Sequence, residues 1–352
     1  MAMHPSPDFV LTVNGQDITA RVNQRLISLT LNEGREGQAD TLEIRLTDHD
    51  GRMAIPSVDA VVALRIGWAG QPLVNKGTYN VDEVEHSGTP DELSIKCSSA
   101  NLKKEMRQRA ERSWNDTTVG AVVDEMAQRN GLQPRIDPAM AARRVQHLDQ
   151  TNESDVNLLT RLAGQHDAVA TVKDGKLLFM PINGTKTSSG KPLAAIHIVR
   201  SLGDRHRWHT AERGAYTGVK AQWHDKQTGE KRTAVSGGTD DAKTLKETYA
   251  TEADAIDAAK SEQQRIERGK ATFTLQLARC RPQLMPQSPV TVAGFKPEID
   301  GQGWLVKTVT HTLDGSGLVT KIDMECGEGG KKQAGPSTDP MKGFSDLDIN
   351  NQ

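Results

Sequence analysis

The stretch Tyr79-Asn-Val81-Asp-Glu-Val84-Glu-His86 recurs far downstream as Trp304-Leu-Val306-Lys-Thr-Val309-Thr-His311; both spell aromatic-x-Val-x-x-Val-x-His. The likeness extends outward. Thr41-Leu42-Glu-Ile44-Arg-Leu46 pairs with Thr272-Phe273-Thr-Leu275-Gln-Leu277, with an apolar residue at every second place. That is the alternation of a strand with one buried face. A turn follows each, Pro56-Ser57 or Pro286-Gln287-Ser288, and then a Val-rich strand, Val58 to Ile66 or Val290 to Phe295. Further on, Leu93-Ser-Ile95-Lys-Cys97 echoes Ile322-Asp-Met324-Glu-Cys326. The expected fold is mainly β, with a duplicated β-domain. Such a duplication lets an oligomer present a ring of twice its own symmetry, so a trimer would present six similar domains.

The chain has 352 residues, enough for two or three domains with separate cores. A formal net charge of −2 argues against a binder of nucleic acid or acidic membrane, which carries a basic bias. Aromatic residues make up 4%, too few for a series of base-stacking platforms. The three cysteines, Cys97, Cys280 and Cys326, are odd in number and show no C-x-x-C spacing. Buried free thiols in a reducing compartment are expected, rather than a metal finger or disulfide framework. The start, Met-Ala-Met-His-Pro-Ser-Pro, lacks the basic and apolar regions of a secretory signal, and no stretch approaches a membrane span. A soluble protein made in the cytoplasm is expected.

Residues 1–98 read as a first β-barrel domain. Phe9 to Val13 ends at Asn14-Gly15, a hairpin signal because both residues tolerate positive φ. Residues 99–193 change character and read as a middle α+β domain. Ala100 to Arg112 is expected to be helical, and Trp114-Asn-Asp-Thr-Thr118 to open the next helix. There Val119, Val122, Val123 and Met126 share one face, and Asn130-Gly131 closes the helix. Pro134 to Ala142 reads as a loop or short turn. Ser154 is expected to cap a third helix with Leu158, Leu159 and Leu162 buried and Asp155 at its positive end. Ala168 to Val172 and Leu177 to Met180 flank Asp174-Gly175, a second hairpin. Residues 194–326 return to β as a second barrel, interrupted by a helical insertion at about 240–269 that starts with a capping box, Thr251-Glu-Ala-Asp254. Residues 327–352 read as a flexible tail without apolar periodicity.

No catalytic, cofactor-binding or metal residue is assigned. His206-Arg-Trp-His209 places two histidines three apart, but a zinc site needs more donors, and a polar turn is the expectation. His86 and His311 occupy equivalent places in the repeat, which a shared structural role explains. Gly301-Gln-Gly303 and Gly315-Ser-Gly317 do not open helices and so cannot offer phosphate a helix N-terminus. G-x-x-x-x-G-K-[ST] and G-x-S-x-G motifs are absent. Asp and Glu are plentiful, yet none stands out as a glycosidase pair. Lys103-Lys104 with Arg107, Arg109 and Arg112 reads as a basic helix face, either solvated or set against an acidic partner surface.

Arg112-Ser-Trp114-Asn-Asp-Thr-Thr-Val-Gly120, Asp149-Gln-Thr-Asn-Glu-Ser-Asp-Val-Asn-Leu-Leu-Thr-Arg-Leu162, Leu277 through Arg281-Pro-Gln-Leu-Met-Pro286 to Ile299, and Gly303 to His311 together resemble the phage late control gene D family, the tail hubs of temperate contractile-tailed phages. The Asn-Glu-Ser-Asp helix also resembles hubs of type VI secretion spikes. The resemblance implies a homotrimer with two related β-barrels per chain, forming a pseudo-six-fold ring between a hexameric tail tube and a separate trimeric spike. Tape-measure and baseplate wedge proteins would be further neighbours. It carries over no catalytic residues. The implied location is the virion baseplate, with DNA passing through a neutral or acidic lumen, because a basic wall would hold phosphate. The alternatives are a hub of a bacteriocin-like tail or secretion spike, or a tail-delivered murein hydrolase.

Overall fold

The computed structural model describes residues 6–35, 39–99, 104–173, 175–182, 193–200, 205–210, 216–225 and 228–327. The first part holds β1 (Pro7–Val13), β2 (Gln16–Asp17), α1 (Thr19–Asn23), β3 (Leu26–Gly34), β4 (Thr41–Thr47), β5 (Val61–Trp68), β6 (Val74–Ser87) and β7 (Glu92–Ser99). Asn14 and Gly15 turn the first hairpin with φ of 49° and 80°, the left-handed pair that matches strand twist. The strands lie in the order β3-β4-β7-β6-β5-β1. Their alternate residues, among them Leu42, Ile44, Leu46, Leu64, Tyr79 and Leu93, form one apolar core.

The middle part begins with a single 3-10 turn, Lys104–Arg107, and continues with β8 (Arg109–Thr118), α2 (Val119–Arg129), β9 (Gln133–Ile136), α3 (Pro138–Ala141), β10 (Arg144–Ser154), α4 (Asp155–Gln165), β11 (Ala168–Lys173) and β12 (Lys176–Pro181). The helix expected from Ala100 to Arg112 is corrected: residues 100–103 lie outside the described residues, and from Arg109 the chain is extended. Ala110, Arg112 and Trp114 turn inward at period two, and β8 pairs antiparallel with β10 through Trp114↔Leu148 and Arg112↔Gln150. The charges hid that alternation. Trp114 to Thr118 accordingly ends a strand and does not open a helix. Thr118 then caps α2, its hydroxyl accepting from Ala121 N at 3.2 Å. Val119, Val122, Val123 and Met126 are buried as expected, and Ser154 caps α4 as expected. The stretch expected as a loop, Pro134 to Ala142, contributes β9 and α3, because β9 gains β12 as a parallel neighbour.

The last part holds β13 (Ile196–Val199), β14 (Arg205–Thr210), β15 (Gly218–His224), β16 (Lys231–Gly237), β17 (Ala242–Tyr249), α5 (Glu252–Gly269), β18 (Ala271–Leu277), β19 (Pro289–Ala293), α6 (Pro297–Asp300), β20 (Trp304–Asp314) and β21 (Gly317–Cys326). The stretch expected as a helical insertion holds a helix, α5, but it is not helical alone. Before α5 comes a separate sheet in the order β16-β15-β17, onto which α5 packs Ala255 and Ala259 against Val219, Ala221 and Ala234. These strands are rich in Lys, Thr and Glu and bury small residues on one side only, so their alternation is faint. His206-Arg-Trp-His209 is likewise strand β14, not a turn. The tail from residue 328 lies outside the described residues.

The repeat has a structural counterpart. The ladder β4-β7-β6-β5 has the same order as β18-β21-β20-β19, with every pair antiparallel. Leu42↔Cys97, Ile44↔Ile95 and Leu46↔Leu93 correspond to Phe273↔Met324, Leu275↔Ile322 and Leu277↔Thr320. The counterpart of Leu93 to Cys97 is therefore Thr320 to Met324, two residues before the stretch that the sequence matches to it. A slip of two keeps each side chain on the same face, so the apolar pattern cannot detect it; only the pairing does. Both β6 and β20 bulge at the same point, between Val81 and Glu83 and between Val306 and Thr308. In a regular strand, valines three apart face opposite ways. The extra residue, Asp82 or Lys307, returns the second valine to the core side. The correspondence runs one strand further, because β14 flanks β18 as β3 flanks β4.

Candidate functional site: a strand seam and the edges left open

The two ladders join where β20 lies antiparallel to β3, from Thr308↔Gly34 to Asp314↔Ser28. Leu29, Leu31, Glu33 and Arg35 fall at alternate places, and all four are buried. The first two enter the core. The other two bring charge into the seam, where it must be paired to be tolerated. Lys76 Nζ on β6 lies 2.6 Å from Glu33 Oε2 and 3.1 Å from the Leu284 carbonyl that accepts its second hydrogen bond. His311 is fully buried beside them, its Nε2 3.6 Å from Glu33 and its Nδ1 2.9 Å from the Thr320 hydroxyl. With the proton on Nε2, Nδ1 can accept from the Thr320 hydroxyl, while Nε2 faces the Glu33 carboxylate without reaching hydrogen-bond distance.

Burial pushes the Glu33 carboxyl up, but His311 and the Lys76 ammonium outweigh it and hold the group at about 2. Burial pushes His311 below the usual imidazole range, with Lys76 adding to the effect, so the ring is neutral at physiological pH. Burial also raises the thiols, Cys280 to about 11 and Cys97 to about 12. They stay protonated and are poor nucleophiles.

A second buried chain of charge ties three parts together. Arg268, at the end of α5, binds Asp167 of the middle part and lies 2.8 Å from Glu325 on β21, while Arg35 reaches the same Glu325 oxygen at 2.6 Å. Asp155 lies beneath α4 among Arg112, Arg129, Asn130 and Gln150. Its role as a charge at the helix start is thus joined by a buried network. None of Glu33, Lys76, Arg268 or Asp167 was singled out from sequence. A charged residue at an inward place, as in Leu29-x-Leu31-x-Glu33, was the available signal.

The residues singled out do not converge. His206 and His209 point to opposite sides of β14, as residues three apart on a strand do, and His206 packs its edge on Phe295 at 5.0 Å. Among the described residues, no group of three or more His, Cys, Asp and Glu side chains could hold a metal. His86 and His311 occupy equivalent strand positions but not equivalent surroundings. His86 is 40% exposed, 3.3 Å from Asp48, because among the described residues no strand covers it as β3 covers His311. Arg107 and Arg109 are exposed, whereas Arg112 turns toward Asp155; the side chains of Lys103 and Lys104 lie outside the described residues. Gly315 and Ser316 form the turn of the β20–β21 hairpin, and Gly317 follows it with φ of 122°. Gly301 follows the short helix α6 and does not belong to a hairpin. No described helix is long and apolar enough to cross a membrane.

What the molecule offers is thus a set of pairing edges on a charge-stapled scaffold, without a converged chemical centre among the described residues. Comparison with known proteins gives the family. The model of the phage tail baseplate hub (GPD) family matches residues 38–317. The probable baseplate hub protein of Escherichia phage 186 is 39% identical over 361 residues, covering 91% of this chain and 93% of the relative. That of Escherichia phage P2 is 38% identical over 360 residues, with the same coverage. In fold, the chain is similar to the 43 kDa tail protein of prophage MuSo2 from Shewanella oneidensis, with a TM-score of 0.66 at 15% identity over 91% of this chain and 98% of that one. The chain belongs to the phage tail baseplate hub family.

Proposed function

We propose that this baseplate hub is a symmetry adapter. Three chains form a ring in which residues 1–98 and 194–326 act as two related tube-type β-barrels, held by the middle domain, 99–193. The sheet and helix of residues 218–269 are an insertion in the second barrel. One face of the ring seats a hexameric tail tube and the other grips a trimeric spike, with tape-measure and wedge proteins as further neighbours. The role is mechanical, not catalytic, and DNA leaves through the lumen without specific binding. The observation that supports this most is the shared strand order with the same bulge in β6 and β20: two places in one chain offer nearly the same edge to a repeating partner.

The absolute mass by light scattering, alone and with the cognate spike, tests the reading. A trimer, or a monomer that becomes a 3:3 complex with spike, is expected. A monomer indifferent to spike overturns the ring. Clearing of murein in a zymogram overturns the purely mechanical role.

A further inference from the structure

The small sheet of the insertion has two free edges. In the order β16-β15-β17 each outer strand has β15 on one side and, among the described residues, no strand on the other. The two edges differ. β17 carries a register shift between its partners Lys220 and Gln222, a bulge of the kind that blunts an edge. β16 pairs with β15 from Gly237↔Gly218 to Lys231↔His224 without a shift, so its other edge is a straight template for pairing. α5 covers one face of the sheet, over Val219, Ala221 and Ala234. The opposite face carries Lys220, Gln222 and His224 of β15 beside Val235, Thr233 and Lys231 of β16, with no carboxylate among them. Val235 is 43% exposed.

The described chain ends close to this edge. Gly327 N donates to the Gly303 carbonyl, and Glu325, two residues earlier, is held by Arg268 in the last turn of α5. Gln263, five residues back along the same helix, accepts from the Ser236 hydroxyl near the C-terminal end of β16. Residues 328–352 lie outside the described residues. Their sequence includes Phe344-Ser-Asp346-Leu-Asp348, whose first, third and fifth side chains would share one face of a strand. A coil of the length of residues 328–343 averages about 20–24 Å and reaches about 55 Å when extended, against roughly 23 Å for a strand of the length of β16.

We propose that residues 344–348 of the chain's own C-terminal segment add to the free edge of β16 as a fourth, antiparallel strand. The direction follows from the exit point: a strand that enters beside Ser236 and runs toward Lys231 is antiparallel to β16. The register follows from the faces. Phe344 opposite Val235, Asp346 opposite Thr233 and Asp348 opposite Lys231 set an aromatic ring on an exposed β-branched residue and a carboxylate against an ammonium, both favourable cross-strand pairs. A parallel strand on the same face would instead set Asp348 against Val235 and Phe344 against Lys231. The charges favour this occupant over a second copy of β16, which would bring Lys231 and Arg232 to an edge that already carries both. The contact lies within one chain, so it stands or falls apart from the trimeric reading.

The test is hydrogen exchange and disulfide trapping on the full chain. The amides of residues 344–348 that face β16 should exchange about tenfold more slowly than in an unstructured chain, given the millimolar effective concentration of a short tether. K231E should abolish that protection, and K231E/D348K should restore it. V235C/F344C places two thiols directly opposite on antiparallel strands, within disulfide reach, and should form a bond within one chain. Peptide mass separates that bond from any made by Cys97, Cys280 or Cys326. T244C/F344C, with its first position on β17, should not form one. Lys231, Val235 and Thr244 are exposed, so the variants should fold like the parent. Exchange of residues 344–348 at the unstructured rate overturns the docking, and protection that survives K231E overturns the register. Equal bonding in the two cysteine pairs overturns the choice of edge. A V235C/F344C bond found between chains overturns the intrachain contact in favour of a neighbouring copy's segment.

Discussion

Replacing Lys76 by Met tests whether the charges in the internal seam hold the two ladders together. Lys76 and Glu33 have side-chain exposures of 4% and 7%, with Nζ and Oε2 2.6 Å apart. K76M keeps most of the volume and leaves the buried Glu33 carboxylate beside the neutral His311, with Lys173 as a further charge acting on it. Removing one member of a buried pair costs about 3–5 kcal/mol. The pH linkage gives an independent figure. Glu33 is lowered to about 2 in the folded chain; a carboxyl held roughly two units below its unfolded value adds ~3 kcal/mol at neutral pH. That contribution is present above the unfolded value and is lost as pH falls through about 2. In urea, with a slope of about 3 kcal/mol/M for a chain of this size, the midpoint should fall by about 1–1.7 M. The double variant E33Q/K76M removes both charges and should recover most of the loss, giving a coupling of at least ~2 kcal/mol in the cycle. A K76M protein with the parent midpoint, or a double variant as unstable as the single, refutes the view that this pair acts as a staple.

Burial, with Arg143 adding to it, lowers His166 to about 4. The unfolded chain thus binds more protons than the folded one between that value and the free imidazole value. Stability should therefore rise with pH across this window, by at most ~3 kcal/mol from this group, and H166Q should lose that part of the slope in denaturation at pH 4.5 and 7. A variant with the parent slope would show that His166 does not titrate differently on folding. Ser154 Oγ accepts from Asn157 N at 3.3 Å at the start of α4. S154A should cost about 1 kcal/mol by loss of the cap, read as a small midpoint shift with unchanged slope; no shift would mean that tertiary packing alone holds that helix end.

The alternating runs at Leu42 to Leu46 and Phe273 to Leu277, the Asn14-Gly15 hairpin and the buried faces of α2 and α4 were legible because a period of 2 or 3.6 is a local property of the chain. So was the repeat. Two kinds of structure were not. Where charge masks alternation, as in Arg109 to Thr118, or where a strand buries only small residues, as in β15 and β16, local pattern is weak and the neighbouring strand decides. Register was also hidden: the apolar pattern matches Leu93 to Cys97 with Ile322 to Cys326, whereas the pairing sets it against Thr320 to Met324, where a polar Thr320 stands in place of Leu93. The candidate site was legible only as a repeated motif. His86 and His311 have the same place in it, yet one is exposed and the other buried, because a strand from the opposite end of the chain lies on His311 alone. Sequence by itself therefore determined the strand-rich repeat and its two valine-bearing strands, through side-chain periodicity and the repeated motif, but not their bulges. Tertiary structure alone decided the pairing register, the buried Glu33–Lys76 and Arg268–Asp167 staples, and which edges remain open, because each depends on residues brought together from distant parts of the chain.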